Sequence, residues 1–193
     1  MDLATKLNQL VLGVALGLAC ALAAAQKGPP LVLEPNKYSY TFALPAGWDF
    51  SFEEARPFMV RLVLFPAGGS FRKSKSVVYV NELCQQPCKT AAAIDRVVSN
   101  ARRRNAGLRV ETPPALKTKS GAAVPVRVMT GFSDPTQAKE AVAFIEGADV
   151  VILAVLTTND ASVWEKDYAA LSAMIAGFEY FDCKSPGLRA KCQ

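Results

Sequence analysis

The chain of 193 residues contains no histidine and only five cysteines. The absence of histidine excludes every histidine-based catalytic triad and removes the commonest side-chain ligand of transition metals. No Gly-x-x-x-x-Gly-Lys-Ser/Thr motif occurs, which excludes a nucleotide-binding P-loop. The twelve prolines and twelve glycines follow no repeating period, which excludes collagen-like and low-complexity classes.

Catalytic side chains in recognisable arrangements are also missing. Without histidine, a nucleophilic serine would need a lysine as its base, and no Ser-x-x-Lys sequence stands in a context that favours catalysis. The carboxylates of Glu53, Glu54 and Asp149 are scattered and show no paired arrangement for acid–base chemistry. The sequence therefore predicts a protein that is not an enzyme and that has no cofactor and no bound metal.

The excess of positive charge is small. Lys and Arg number 22 against 17 Asp and Glu, which gives a net charge of +5 at pH 7. A nucleic-acid-binding protein usually carries a denser basic stripe together with a recognisable fold motif, so no nucleic-acid partner is expected. With 51% hydrophobic and 20% charged residues, the chain can bury a core, which excludes global disorder.

A long apolar run occupies the N-terminus, from Leu10 to Ala25. It is shorter than the roughly 20 residues of a spanning helix, and it ends in three alanines, the small-x-small pattern of a signal-peptidase site. We expect residues 1–25 to be a signal peptide, cleaved before Gln26. The mature protein would then be exported, to the periplasm or the extracellular space, with no integral membrane span. An uncleaved anchor and a lipid anchor at Cys20 are the alternatives.

Four cysteines remain after this cleavage, Cys84, Cys88, Cys183 and Cys192. An even number of cysteines in an exported chain indicates disulfide bonds. Among the three possible pairings, the local one fits the spacing best: Cys84 with Cys88, and Cys183 with Cys192. A crossed pairing would instead join the C-terminal tail to the loop before the first helix. As an alternative, Cys84 and Cys88 would carry thiol redox chemistry or hold a soft metal such as copper.

Hydrophobic patterning divides the mature chain into an extended lead-in over 26–37, one domain over 38–182, and a tail or disulfide ring over 183–193. Alternating or apolar runs predict strands at Tyr38–Leu44, Met59–Phe65, Ser76–Glu82, Leu108–Glu111, Val124–Thr130, Lys139–Ile145, Asp149–Thr157 and Phe178–Phe181. Short connections join the three strands between 124 and 157, which makes them antiparallel neighbours. Asp149–Thr157 is apolar at nearly every position, as is typical of a central strand covered on both faces.

Two amphipathic helices are predicted among these strands. The first has Thr90 as its N-cap and Gly107 beyond its end, and its apolar stripe consists of Ile94, Val97, Val98 and Ala101. The second begins at the capping box Ser162–Glu165 and ends at Gly177, with a stripe of Trp164, Tyr168, Leu171 and Ile175.

Two basic groups are candidates for contact with an anion or a partner. The loop Gly68–Lys75 combines glycines and hydroxyls with Arg72, Lys73 and Lys75, and its backbone amides could cradle an anion. Arg102, Arg103 and Arg104 close the first helix, where cations suit the negative end of the helix dipole. Either group could instead be an ordinary solvated surface.

The order of elements resembles the PsbP-like family, which shares its fold with the Ran-binding Mog proteins. The likeness is carried by a strand running into Pro-x-Gly-Trp (Tyr40–Trp48), by a strand leading to a helix near Thr90, and by a meander running into the last helix (Val124–Phe181). It implies an α+β fold, an α/β/α sandwich around a central, largely antiparallel sheet, of a bacterial envelope type. Most proteins of this kind are non-enzymatic interaction modules, although the resemblance implies little about activity. We expect this chain to bind a protein or envelope partner through an edge of the sheet or the pocket beside it.

Overall fold

The computed structural model describes residues 30–33, 38–83, 89–147 and 150–182. Within these ranges there are two α-helices, α1 (Thr90–Arg104) and α2 (Trp164–Ala176), and single turns of 3-10 helix at Arg56–Phe58 and Ala161–Val163. The strands are β1 (Leu31–Leu33), β2 (Tyr38–Phe42), β3 (Trp48–Ser51), β4 (Leu62–Pro66), β5 (Ser76–Leu83), β6 (Arg109–Glu111), β7 (Leu116–Lys117), β8 (Ala123–Val124), β9 (Val126–Thr130), β10 (Lys139–Glu146), β11 (Val151–Thr158) and β12 (Glu179–Asp182). The sequence patterns predict all of these strands except β1, β3, β7 and β8. The run Val124–Thr130 predicts a single strand, whereas in the structure Val124 belongs to β8 and the strand β9 starts at Val126. The predicted signal peptide (1–25) and tail (183–193) lie outside the described residues.

Seven strands form the main sheet, in the order β3-β4-β5-β11-β10-β9-β6, and every neighbouring pair is antiparallel. β11 is the middle strand, in which Ala154 pairs with Val80 of β5 on one side and with Ala143 of β10 on the other. Its side chains are buried at almost every position, which confirms the prediction of a central strand. The predicted meander of β9, β10 and β11 is also confirmed.

The two helices lie on opposite faces of the main sheet, because alternate side chains of a strand point to opposite faces. Ile152 of β11 belongs to the core that includes Leu171 of α2. Its neighbour Leu153 belongs to a second core that includes Ala93 and Ala101 of α1. The predicted α+β fold, with a helix on each side of an antiparallel sheet, is therefore confirmed. Neither helix in the described part of the chain has the length and apolar character needed to cross a membrane.

A second sheet of three strands, in the order β1-β2-β12, joins the two ends of the described chain. Tyr40 and Phe42 of β2 are fully buried, and their ring centroids lie 6.1 and 5.1 Å from that of Phe178. Pro45 and a turn at Gly47, with φ +74°, separate β2 from β3. The opening and closing strands thus lie in a small sheet of their own, where the sequence predicts a single sheet.

Both helices start differently from the prediction. Thr90 is not the N-cap of α1, because it is already helical, and its hydroxyl donates to Glu146 Oε2 at 2.5 Å. The prediction of a capping box at Ser162 is also wrong, because Ser162 donates instead of accepting. Asp160 Oδ1 accepts one hydrogen bond from the Ser162 amide, at 3.0 Å, and a second from the Ser162 hydroxyl, at 2.6 Å. These bonds, aided by Lys75, lower the pKa of Asp160 to about 2. A turn of 3-10 helix therefore precedes α2.

Candidate functional site

The basic loop between β4 and β5 is held by hydrogen bonds within the protein. The amide of Gly68 donates to Asp49 Oδ2 at 3.1 Å, and the amide of Phe71 donates to Glu54 Oε2 at 2.9 Å. These two amides therefore face carboxylates of the chain itself. An anion at this loop would be held chiefly by side chains.

The three cations of this loop have different surroundings. The guanidinium of Arg72 lies 5.4 Å from the ring centroid of Phe58, which is a cation–π distance. Lys75 Nζ lies 3.0 Å from Asp160 Oδ2, and its side chain stays largely exposed. Lys73 is exposed and forms no ion pair with a described residue. Arg72 and Lys73 are thus the loop cations whose charge is not neutralised by a neighbouring carboxylate.

Arg102, Arg103 and Arg104 occupy the last turn of α1 and are exposed, as the sequence predicts. The Arg104 Nε–H donates to the carbonyl of Asn100 at 3.3 Å, and Arg103 bonds to the side chain of the same residue. Gly107 does not cap the helix. Asn105 is the C-cap, and its side-chain amide donates to the carbonyl of Ala101 at 2.9 Å, which satisfies one of the last free carbonyls.

The strand register puts the two basic groups at the same end of the main sheet. Ser76, which follows the basic loop, pairs with Thr158 of β11, and Thr158 pairs with Lys139 at the start of β10. The loop before β10 contacts the end of α1, because the hydroxyl of Ser133 donates to the carbonyl of Arg104 at 3.4 Å. Their role as contacts for an anion or a partner remains a prediction.

The four cysteines predicted to form disulfides, Cys84, Cys88, Cys183 and Cys192, lie outside the described residues. Their pairing remains a prediction, and so does the alternative of thiol or copper chemistry at Cys84 and Cys88.

The segment from 50 to 59 carries exposed hydrophobic side chains that the sequence analysis did not single out. Four of the five large hydrophobic residues that are exposed in the described part of the chain lie here: Phe50 (39%), Phe52 (41%), Phe58 (44%) and Met59 (88%). Phe50 belongs to β3, an edge strand of the main sheet, and its ring packs edge-on against Phe52, with centroids 5.6 Å apart. We call these four residues the β3-edge surface.

Met59 is exposed because the chain turns there. The predicted strand Met59–Phe65 starts only at Leu62, since Met59 has a left-handed backbone (φ 56°) that ends the 3-10 turn before it. Its amide donates to the carbonyl of Arg56 at 3.0 Å. Phe58 next to it packs on Phe71, with centroids 4.9 Å apart, which anchors the turn to the basic loop. An apolar run alone does not distinguish such a turn from a strand, so this surface could not be predicted from the sequence.

A cleft of about 450 Å³ lies beside the small sheet, between β12 and the β7–β8 hairpin. Its apolar wall includes Ile145 and Phe178, both buried, and its rim is polar. An ion pair between Lys119 Nζ and Glu179 Oε1, 3.0 Å apart, joins the hairpin to β12 at the rim. A pocket beside the sheet is one of the two binding places predicted from the sequence, and binding at this cleft remains a prediction.

A half-buried acidic group lies on the α1 face of the main sheet. Glu140 of β10 accepts a hydrogen bond from Gln137 Nε2 at 2.8 Å, yet burial dominates and raises the pKa of Glu140 to about 7. Burial, together with the charge of Glu140, also raises the pKa of Tyr79. Glu140 alternates with the buried Val142 and Phe144, so its inward position could have been read from the sequence.

Comparisons with known proteins concern the fold. No protein-family model matches the chain, and neither does any curated protein. The structure is similar to that of LpqN, a protein involved in cell envelope biogenesis of Mycobacterium tuberculosis, with a TM-score of 0.52 and 8% sequence identity over 79% of this chain and 90% of LpqN. It is also similar to the cyanobacterial PsbP of Synechocystis sp. PCC 6803, with a TM-score of 0.49 and 12% identity over 86% of this chain and 99% of that one. At 8% identity the likeness to LpqN shows the fold alone, and it is this likeness that bears out the PsbP-like fold expected from the sequence.

Proposed function

We propose that this protein is an exported, non-enzymatic accessory module of the cell envelope, which binds a protein partner through the β3-edge surface. The observation that carries the proposal is that four of the five exposed large hydrophobic residues of the described chain lie in the segment from 50 to 59, with Met59 88% exposed. Scattered single hydrophobic residues are ordinary on a protein surface, whereas a group of them marks an interaction site.

Covering this surface would stabilise a complex. Full burial of one Phe or Met side chain is worth about 1.5–3 kcal/mol, and each of the four side chains is partly exposed. β3 also has a neighbour, β4, on one side only, so its outer edge offers unpaired backbone groups in the described structure. A partner that adds a strand along β3 would gain main-chain hydrogen bonds, with Phe50 and Phe52 contributing side-chain contacts.

The charge beside this surface favours a partner that carries carboxylates. Arg56 lies within the same segment and is exposed. Arg72 lies over Phe58, and Lys73 follows it, so the cations predicted for partner contact adjoin the exposed aromatic ring. Complementary charge at the rim of an interface speeds association and selects among partners more than it adds affinity.

The envelope setting is supported by two observations. The N-terminal run of residues 10–25 has the pattern of a signal peptide. The similar fold of LpqN, a protein involved in cell envelope biogenesis, is compatible with the same setting. A shared fold does not fix a function, so the role of this chain rests on its own surface.

A photo-crosslinking amino acid at Phe52 or Met59, in cells that produce the protein, tests the proposal. We expect both positions to give the same discrete adduct with one envelope protein. Glu111 is the matched control, because it is exposed on β6, the edge strand at the other side of the main sheet. Equal adducts at Glu111, or none at either test position, would contradict the proposal.

The mass of the exported chain should correspond to a start at Gln26.

A further inference from the structure

The methionines of the chain differ sharply in their exposure to solvent. Of the four, Met1 belongs to the predicted signal peptide, whereas Met59, Met129 and Met174 lie within the described residues. Met129 of β9 and Met174 of α2 are fully buried, at 0% exposure, in the cores on the two faces of the main sheet. Met59 is 88% exposed. A reagent dissolved in water therefore reaches the thioether of Met59 far more easily than the other two.

The backbone at Met59 holds its side chain in this exposed place. Its φ is 56°, and it is the one residue other than glycine with a positive φ in the described part of the chain. A residue that has a Cβ is uncommon in this left-handed region, which glycine adopts easily. The hydrogen bond from the Met59 amide to the carbonyl of Arg56 and the packing of Phe58 on Phe71 fix the turn. The turn thus presents a long apolar side chain to solvent at a position that suits glycine better.

The thioether of Met59 is the group of the β3-edge surface that a hydroperoxide can oxidise, because the other three members are phenylalanines. The peroxide transfers one oxygen atom to the sulfur. An S–O bond forms, the O–O bond breaks, the sulfur loses two electrons, and hydrogen peroxide is reduced to water. The product is methionine sulfoxide, in which a flexible apolar side chain has become polar.

Oxidation at Met59 should leave the fold intact. The new oxygen would be in contact with water, because Met59 belongs to none of the three buried cores of the described chain. The same oxygen on Met129 or Met174 would be a polar group inside a core, where no water can hydrogen-bond to it. Met59 is thus the methionine of the three at which oxidation changes the surface alone.

We propose that Met59 is a site of oxidation by hydroperoxides, and that its oxidation weakens partner binding at the β3-edge surface, an effect that rests on the function proposed above. A partner that covers Met59 gains affinity by burying an apolar side chain. After oxidation, the same partner would have to remove the sulfoxide oxygen from water. The loss of one such apolar contact corresponds to a weakening of about tenfold or more.

The first experiment measures where the peroxide acts, and it needs no partner. Any free thiols of the purified mature chain are blocked with N-ethylmaleimide, and the chain is treated with hydrogen peroxide. Mass spectrometry of its peptides then follows the sulfoxide formed at each methionine. We expect Met59 to be oxidised at least about tenfold faster than Met129 or Met174 in the folded protein, and all three to react at similar rates in urea. Equal rates in the folded protein would overturn the proposal.

The second experiment measures binding in cells, with the photo-crosslinking amino acid at Phe52. Hydrogen peroxide is added before irradiation, and the yield of the adduct should fall by about tenfold once Met59 is oxidised. Met59→Leu is the matched control. Leucine is apolar and does not react with peroxide, so the yield from this variant should be the same with and without peroxide. Met59→Gln, which places a polar side chain of similar length there, should lower the yield without peroxide.

The outcomes separate this proposal from the function on which it rests. An adduct that forms equally well after Met59 is oxidised would overturn the effect on binding and leave the proposed function standing. An equal fall in the Met59→Leu variant would also overturn it, because the peroxide would then act on another residue or on the partner. The absence of any adduct from untreated cells would contradict the proposed function, and the effect on binding with it.

Discussion

Replacing Glu140 by glutamine should change how the stability of the protein depends on pH. Burial raises the pKa of Glu140 from its usual 4.5 to about 7, so the folded protein favours the protonated carboxyl. Between these two values the folded state binds more protons than the unfolded state. The free energy of unfolding therefore falls as the pH rises through this range.

The size of this loss follows from the two pKa values. The interval from 4.5 to about 7, at about 1.4 kcal/mol for each pH unit, gives an upper limit of roughly 3–4 kcal/mol. Glutamine has nearly the same shape, carries no charge, and keeps an oxygen that can accept the bond from Gln137 Nε2. The free energy of unfolding of the Glu140→Gln variant should therefore not show this fall as the pH rises. Above pH 7 the variant should be more stable than the unaltered protein.

Urea denaturation at a series of pH values between about 4 and 8 measures this effect. The informative quantity is the difference between variant and unaltered protein, because the other titrating groups cancel in it. Glu111→Gln is the control, since it makes the same chemical change at an exposed carboxylate on β6. A difference for Glu140→Gln that stays constant across the range would refute the reasoning.

Three further outcomes are expected. Gly177→Ala should lower the free energy of unfolding by about 2–3 kcal/mol in urea titration, because the added Cβ would meet the backbone and Cβ of Ala43. Gly107→Ala is the control and should cost less, because the nearest atom to its Cβ lies 3.5 Å away. Lys75→Ala should raise the pKa of Asp160, measured by carboxyl NMR titration, but leave that pKa below its usual value, because the hydrogen bond from Ser162 is the larger cause of the lowering. An unchanged pKa of Asp160 would exclude Lys75 as a contributor. Intact mass with and without reduction should show all four cysteines of the mature chain blocked, and free thiols would revive the redox and copper alternatives.

Much of the fold follows from local patterns. The continuous apolar run Asp149–Thr157 predicts the central strand, and the stripe of Trp164, Leu171 and Ile175 predicts the buried face of α2. The start of α2 could not be predicted in the same way. Asp160 and Ser162 are both residue types that favour the N-cap position, and the sequence does not show that Asp160 accepts the bonds of the first turn.

The candidate sites were harder to predict for a physical reason. Whether Phe52 or Met59 is buried depends on what the rest of the chain places over it, and periodicity does not report that.

The small sheet has a consequence for how the chain folds. Its register brings Tyr38 opposite Asp182, so β2 gains its neighbour β12 only when almost the whole described chain is available. Such a distant pairing closes a long loop and forms slowly compared with local contacts. Until β12 arrives, the aromatic residues of β2 lack the partner strand and the Phe178 ring that cover them. A chain cut before residue 178 should therefore be held in a partly assembled and protease-sensitive state, in which β2 is exposed to pairing with other chains.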